Sequence, residues 1–487
     1  MRELFLGVDC GTQGTKALLI DAEGTAWGHG HAAHALIERE SGAREQEPHW
    51  WVEAATQAIQ QAVATAKSKG EFVVRGLGVS GQQHGLVVLD EAQTVIRPAK
   101  LWNDTETAAQ NEEIVHRLGG AAACVEKFGI APLTGYTVSK LLWLKEKEPA
   151  HFARVRHVML PHEYLNSWLT GRMCAEFGDA SGTGYFDVRK RVWAKEVLDA
   201  IDPALSGCLP ELIGADEAVG TLKPEVAELL GLDAACVVSP GGGDNMMGAI
   251  GTGNVREGVV TMSLGTSSTL YSYREEPMET VPEGVAPFCS STGGWLPLVC
   301  TMNATNVVNS MLAALGLSVE AVDRLLAESA PGADGITVLP FLNGERTPDL
   351  PLAKGSVFGL TATNLSAGNL LRATIEGVTF GVLAASTWVT ASRILLIGGG
   401  AKSAQWRQIV ADASGVRVEV PAVEEAGCLG AAMQALAVSA GKSIASVADI
   451  CVRVDEAKTA LPVAERFGLY ASAMERYKER LKAEFGV

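Results

Sequence analysis

Excess positive charge is missing from this 487-residue chain, in which 40 Lys and Arg face 56 Asp and Glu for a net charge of −16. Neutralising a phosphate backbone or an anionic bilayer takes clustered cations, and no such cluster occurs. Nucleic acid and membrane surfaces are therefore excluded as general partners. A small phosphorylated ligand is not, because backbone amides and a divalent cation can hold its phosphates. Paired cysteines are missing too: the nine cysteines contain no Cys-x-x-Cys and an odd total, a usage that suits a reducing cytoplasm. Long apolar runs are absent as well. The first stops at Asp9, so neither a signal peptide nor a spanning helix is expected there. The longest uncharged stretches, Gly377 to Ser392 and Ala426 to Gly441, are short for a membrane span and read as buried helices.

What is present is an ordinary globular composition, 47% apolar and 20% charged, in a chain too long for one core. Two large domains are expected, divided as 1–246 and 247–487. Strand-like and helical patterns alternate, as where "HWWVEAATQAIQQAVATAKSKG" places Trp51, Ala55, Ala58, Ile59 and Ala62 on one face ahead of the strand-like "RGLGVSGQQHGLVVLD". Such alternation predicts α/β layering.

One device occurs twice. "LFLGVDCGTQGTKALLI" and "GVVTMSLGTSSTLYSY" each run from an apolar strand through a Gly-Thr turn into a second strand. Aligning the Gly-Thr pairs places Gly11-Thr12 on Gly265-Thr266 and Asp9 on Ser263, so the turn is duplicated and the acid is not. Two facing domains, each offering hairpin amides to phosphate oxygens across a shared cleft, would use such a pair. Ordinary β-turns use the same residues. A third element, "RILLIGGGAKSAQWRQIVADASG", runs from a buried strand through Gly398-Gly399-Gly400 into a helix carrying Trp406, Ile409 and Val410. Its glycines suit either close approach of a ligand to free helix amides or tight strand-to-helix packing. Neither a Rossmann fingerprint nor a Gly-x-x-x-x-Gly-Lys phosphate loop is present.

Between the hairpins lies "CVVSPGGGDNMMGAIGTGN". Asp244 there can be a helix N-cap, yet three glycines before one carboxylate are more than a cap requires and would leave it exposed on a cleft floor. Such an acid can take the proton of a hydroxyl attacking a γ-phosphate. Asp9 would then serve a metal, since magnesium keeps several waters and uses one or two protein carboxylates. His84, in "SGQQHG" just after a strand, suits a hydrogen bond to a polyol or a buried structural role. Trp102 in "LWND" can face sugar carbons or the core, and Glu345-Arg346 reads as a cleft loop or a structural ion pair. His29 and His31 share a strand face with no completing ligands, as expected of a surface strand. The tail "YASAMERYKERLKAEFGV" predicts a terminal amphipathic helix packing on the second domain or on a sister subunit.

Taken in order, "GVDCGTQGTK", "GVSGQQHGLVVLD", "LWND", "MLPHEYLNSWLTG", "GGGDN", "SLGTSS", "FLNGERTP", "IEGVTFG" and "IGGGAKSAQWRQI" resemble the motif series of the FGGY carbohydrate kinases, within the actin-like ATPase superfamily, from about residue 3 to about 440. The resemblance implies an α/β chain with two ribonuclease H-like domains closing on ATP and a sugar across an interdomain cleft. It implies Asp244 as catalytic base, Gln83, His84 and Asn245 as substrate contacts, and Asp9 as the Mg2+ and phosphate-side acid. Gly11, Thr12, Thr266, Gly400 and Ala401 would line the nucleotide site. The expected reaction is phosphorylation of a ketopentose primary hydroxyl, D-xylulose at O5 first. L-ribulose, L-fuculose, L-xylulose and similar polyols are the alternatives. Glycerol is disfavoured because Gln83-His84 stands where glycerol kinases carry Arg-Glu. A non-kinase ATPase switch is disfavoured because Ser263 replaces the second hairpin acid. A homodimer is the assembly expected by analogy with similar kinases.

Overall fold

Two sheets of related topology organise the computed structural model, which describes residues 1–487. In the first, β1 (Arg2–Cys10), β2 (Gly14–Ile20) and β3 (Ala26–Ala33) form an antiparallel meander, covered by α1 (Pro48–Lys67). Next comes β4 (Phe72–Gly81), parallel to β1 on its other side. Two short strands, β5 (Gly220–Thr221) and β6 (Val237–Val238), extend that edge, and β7 (Gly242–Gly243) continues alongside the end of β4. Before them in the chain, α2 (Pro161–Thr170) and α3 (Phe177–Ala180) lie beneath the strand ends; after them comes α4 (Asp244–Gly251).

The second sheet repeats the central pairing. β8 (Val259–Leu264) is antiparallel to β9 (Ser268–Ser272), as β1 is to β2. The next two strands, β10 (Val285–Cys289) and β11 (Trp295–Thr301), add antiparallel neighbours on that side. After the long helix α5 (Ala367–Ala384) the chain enters β12 (Arg393–Ile397), parallel to β8 as β4 is to β1, then α6 (Ala404–Ser414) and β13 (Arg417–Glu419). The chain is therefore α/β with one sheet plan used twice, and the two Gly-Thr hairpins, β1–β2 and β8–β9, occupy equivalent central places.

Packing explains which elements hold still. One buried cluster fills the first domain around β1, β4 and α1, with Trp51 fully buried. A second fills the other domain around β8, β12 and α5. A third joins them: Phe5, Leu18 and Ile20 of the first sheet meet Met246 and Ile250 of α4 and Leu429 of α7 (Ala426–Ala440). Late in sequence, α7 thus packs on the first sheet. Its residues are buried on almost every side, as the apolar run from Ala426 predicts, and no helix of the chain is long and apolar enough to cross a membrane. The last helix, α8 (Phe467–Phe485), buries Tyr470, Ala473 and Tyr477 against the second domain. His29 and His31 lie exposed on the outer face of β3, as a surface strand requires.

The α4–α7 contact is made backbone to backbone. A Cβ built on Gly430 would lie 1.8 Å from the Met247 carbonyl oxygen, so only glycine permits the approach. Overpacking of this kind costs about 1–3 kcal/mol. We expect Gly430→Ala to lower the unfolding free energy read from urea titration by that amount, and the midpoint with it, while Gly468→Ala, which meets nothing within 4 Å in α8, leaves both unchanged or slightly raised. Equal midpoints for the two variants would show that the α4–α7 approach carries no stability.

Candidate active site

The carboxyl ends of the parallel strands in the first sheet converge on one place. Asp9 ends β1, Gln83 and His84 follow β4, and Asp244-Asn245 follow β7. Ligands in open α/β sheets bind outside strand ends of this kind. The second sheet turns the same ends toward the cleft, with Gly265-Thr266 after β8 and the glycine turn after β12.

Asp244 is the first residue of α4, with Gly243 in the cap position, so the capping role is not the one it plays. Its side chain instead takes the Asn245 backbone N–H at 2.8 Å and Asn245 Nδ2 at 3.2 Å, both on Oδ1, which leaves Oδ2 for another proton. The residue is solvent-exposed, yet it sits on the floor of a concave site whose protein walls crowd it. Water reaches the carboxylate without surrounding it. That crowding first, and the negative charge of Asp9 second, push its pKa up to about 7, outweighing the hydrogen bonds to the ionised form. A carboxyl poised near neutrality is what general-base catalysis requires.

Asp9 is half-buried and accepts a 2.6 Å hydrogen bond from Ser80 Oγ on β4. Burial raises its pKa against the opposing effects of Ser80 and Lys16. The carboxylate rests against α7 at Gly427, where an added Cβ would lie 2.9 Å from its Cγ, so a side chain at 427 would displace the acid. Neither Asp9 nor Asp244 has a Lys, Arg or His within ion-pair distance. Two carboxylates without a paired protein cation, facing one cleft, suit a hard divalent cation, so the donor set fits magnesium.

Gln83 is buried, with Oε1 accepting from Asn245 Nδ2 at 3.0 Å. His84 adopts a left-handed backbone, φ 64°, and its carbonyl is held by Lys140 Nζ at 2.7 Å and Thr137 Oγ1 at 3.2 Å. Its ring lies 4.8 Å from that of Tyr136, and Nδ1 is buried without a partner. Burial, then the Lys140 and Arg346 cations, hold the imidazole well below its ordinary pKa. It is neutral at pH 7, able to exchange a hydrogen bond with a hydroxyl but not to act as a cation.

On the nucleotide side, the first hairpin turn closes through Gly11 N–H to the Gly14 carbonyl at 3.0 Å. The Thr12 hydroxyl is committed within the protein, accepting from Trp102 Nε1 at 2.9 Å and donating to Gln82 Oε1 at 3.2 Å. Trp102 therefore braces the hairpin. Thr266 is exposed on the second hairpin, whose Gly265 carbonyl is tied down by Thr305 Oγ1 at 2.7 Å. At the glycine turn, Gly398 and Gly399 are exposed while Gly400 and Ala401 lie buried beneath them. The first-turn amides of α6 are not free, contrary to the sequence expectation. Ser403 caps the Trp406 N–H, and the Asp323 carboxylate takes the Ala404 and Gln405 N–H groups at 3.2 Å.

Glu345 and Arg346 do not form an ion pair. Glu345 accepts from Met302 N–H, Arg346 N–H and Asn303 Nδ2, and no carboxylate lies within ion-pair distance of the Arg346 guanidinium. A carboxylate group formed by Glu45, Asp104 and Glu106 is already filled by Lys100 Nζ, at 3.3, 3.0 and 2.5 Å. Sequence reasoning passed over two buried residues behind Gln83, His162 and Asp179, which are paired at 2.6 Å. Their signals are the His within "MLPHEYLN" and the acid among small residues in "FGDASGTG".

Comparison with known proteins finds matches along nearly the whole chain. The N-terminal domain model of the FGGY family of carbohydrate kinases matches residues 4–251, and the C-terminal domain model matches 260–439. A xylulose kinase of Haemophilus influenzae is 47% identical over 98% of this chain and 99% of its own. One from Streptomyces rubiginosus is 40% identical over 91% and 90%. The crystal structure of xylulose kinase from Bifidobacterium adolescentis superposes with a TM-score of 0.83 at 32% identity, covering 97% of this chain and 99% of that one.

The raised Asp244 pKa has a direct readout in the free protein. Protonated below about 7 and ionised above it, the carboxyl should titrate near that value by 13C NMR. Asp9→Asn, by removing a neighbouring negative charge, should move the midpoint to lower pH. A wild-type midpoint in the ordinary carboxyl range, or no shift in Asp9→Asn, would contradict the coupling of the two acids.

Proposed function

The chain belongs to the FGGY family of carbohydrate kinases, and from that premise we propose that it transfers the γ-phosphoryl group of ATP to O5 of D-xylulose, with Asp244 as general base. Xylulose kinases that share most of its length support the choice of sugar. The observation that carries the mechanism is a carboxylate with a pKa of about 7, open to the cleft, whose two hydrogen bonds both fall on Oδ1. Its Oδ2 takes the proton of the attacking hydroxyl as the O–P bond forms, and ADP leaves with the electrons of the broken bond. Both oxygens are then accounted for.

Asp9 would hold magnesium, which when bound supplies charge neutralisation to the phosphates. Gln83, His84 and Asn245 are the sugar contacts in this reading, with the neutral His84 ring able to exchange a hydrogen bond with a hydroxyl. Gly11, Thr12, Thr266, Gly400 and Ala401 form the nucleotide side. Because the Thr12 hydroxyl and the α6 amides are already engaged, phosphate oxygens must be met mainly by hairpin backbone N–H groups. Closing the domains over base and acceptor would exclude water and favour transfer to sugar over hydrolysis. In the proposed division at 246/247 the base belongs to the first domain and opens α4, the helix that this boundary crosses.

Asp244→Asn should retain sugar affinity by calorimetry and lose about 10²–10⁴ in kcat, the usual worth of a general base. Near-normal turnover would remove Asp244 from that role. In an ADP-release assay across pentuloses and polyols, D-xylulose should give the highest kcat/KM and ATP hydrolysis without sugar should be slow. A higher value for L-ribulose or another polyol would reassign the substrate.

A further inference from the structure

Behind the sugar contacts lies a buried charge pair that the mechanism above leaves idle. His162 Nδ1 and Asp179 Oδ2 are 2.6 Å apart, and both residues are fully buried. The other carboxylate oxygen, Asp179 Oδ1, faces Gln83 Nε2 at 3.4 Å. From Gln83 the chain of contacts continues outward to Asn245 and Asp244.

The directions of these bonds are not free. An ionised carboxylate only accepts, so the Gln83 amide must turn its NH2 toward Asp179 and its carbonyl toward Asn245. Asn245 must then turn its own NH2 toward Gln83 Oε1 at 3.0 Å, and the same NH2 reaches Asp244 Oδ1 at 3.2 Å. Its carbonyl is left for the Thr269 hydroxyl at 3.5 Å. One buried charge therefore sets the orientation of two amides. With the sense reversed, Asn245 would present a carbonyl oxygen to the Asp244 carboxylate and repel it. A buried ion pair is a poor source of stability, because taking both charges out of water costs about as much as their attraction returns. Directionality is what this pair supplies that an apolar pair of equal volume could not.

We propose that the His162–Asp179 pair is a positioning device for phosphoryl transfer, fixing the Gln83 and Asn245 amides so that Asp244 is held with one oxygen bonded and the other free for the substrate proton. The inference rests on the reading of Asp244 as base. His162 anchors Asp179 as an acceptor through Nδ1–H, and Asp179 acts through Gln83 and Asn245 without touching the reacting atoms.

The test is steady-state kinetics with D-xylulose and Mg-ATP on six variants, Asn245→Ala alone among them, each checked by its thermal midpoint. Asp179→Asn, whose amide can face either way, should lose about tenfold or more in kcat with the sugar KM within threefold of wild type. His162→Leu should do the same. His162→Asn, whose Nδ2 can replace the Nδ1 donor, should recover most of what His162→Leu loses. Combined with Asn245→Ala, Asp179→Asn should add no further loss, since the link it acts through is gone. Wild-type kcat in both Asp179→Asn and His162→Leu, equal kcat in His162→Leu and His162→Asn, or multiplying losses in the double variant would overturn the proposal. Should Asp179→Asn fail to fold, the two His162 variants decide alone. Asp244→Asn separates the two readings: if it retains turnover the base assignment fails, whereas an inert Asp244→Asn beside unimpaired Asp179 and His162 variants removes only the positioning role.

Discussion

Backbone contact between α4 and α7 is the constraint on which the site depends. Gly430 lets α7 approach the Met247 carbonyl, and Gly427, one turn earlier on the same helix, leaves room for the Asp9 carboxylate. One helix from late in the chain thus fixes the helix that begins with Asp244 and walls in the strand that carries Asp9 near its end. Asp244 is held where it feels the charge of Asp9, and neither acid has a protein cation within ion-pair distance. Like charges kept close in a crowded cleft destabilise the folded chain at neutral pH. That cost is tolerated where a positive ligand or a transferred proton relieves it, and both are features of phosphoryl transfer.

Local patterns made part of this visible from residues alone. Alternating apolar strands on either side of a Gly-Thr turn identify both hairpins, because β1–β2 and β8–β9 are built from neighbouring residues. Three glycines before Asp244 signal an exposed acid for the same reason. The partner of α7 was not legible. A helix apolar on every side has no face to orient, and nothing in residues 426–440 points to a sheet formed 350 residues earlier. Nor could the α6 amides be known to be taken, since Asp323 reaches them from about eighty positions away. His162 and Asp179 escaped for a related reason: a hydrogen bond between side chains on different elements leaves no period in the sequence.

Mechanically, the site divides into a rigid and an adaptable part. Asp9, Gln83 and Asn245 hang on strand ends and a helix start that are locked by the first buried cluster and by the cluster joining the domains. The turn at Thr266 is exposed and tied by the 304–305 segment, all within the second domain. That hairpin also bears on the base, because Thr269 on β9 reaches the Asn245 carbonyl at 3.5 Å, so moving one domain against the other would be felt at the residue that holds Asp244.

The missing second acid follows from charge. Ser263 stands in β8 where Asp9 stands in β1. A carboxylate there would face a cleft that already holds two unneutralised acids and would raise the Asp244 pKa further, keeping it protonated and useless as a base at neutral pH. It would also repel a triphosphate that must approach hairpin amides rather than lysines. A hydroxyl preserves the turn and adds no charge. Duplicating the hairpin supplies amides on both sides of a nucleotide; leaving the acid unduplicated keeps Asp244 basic enough to accept a proton and free to do so. The asymmetry of the two hairpins thus suits a base that must start ionised at neutral pH.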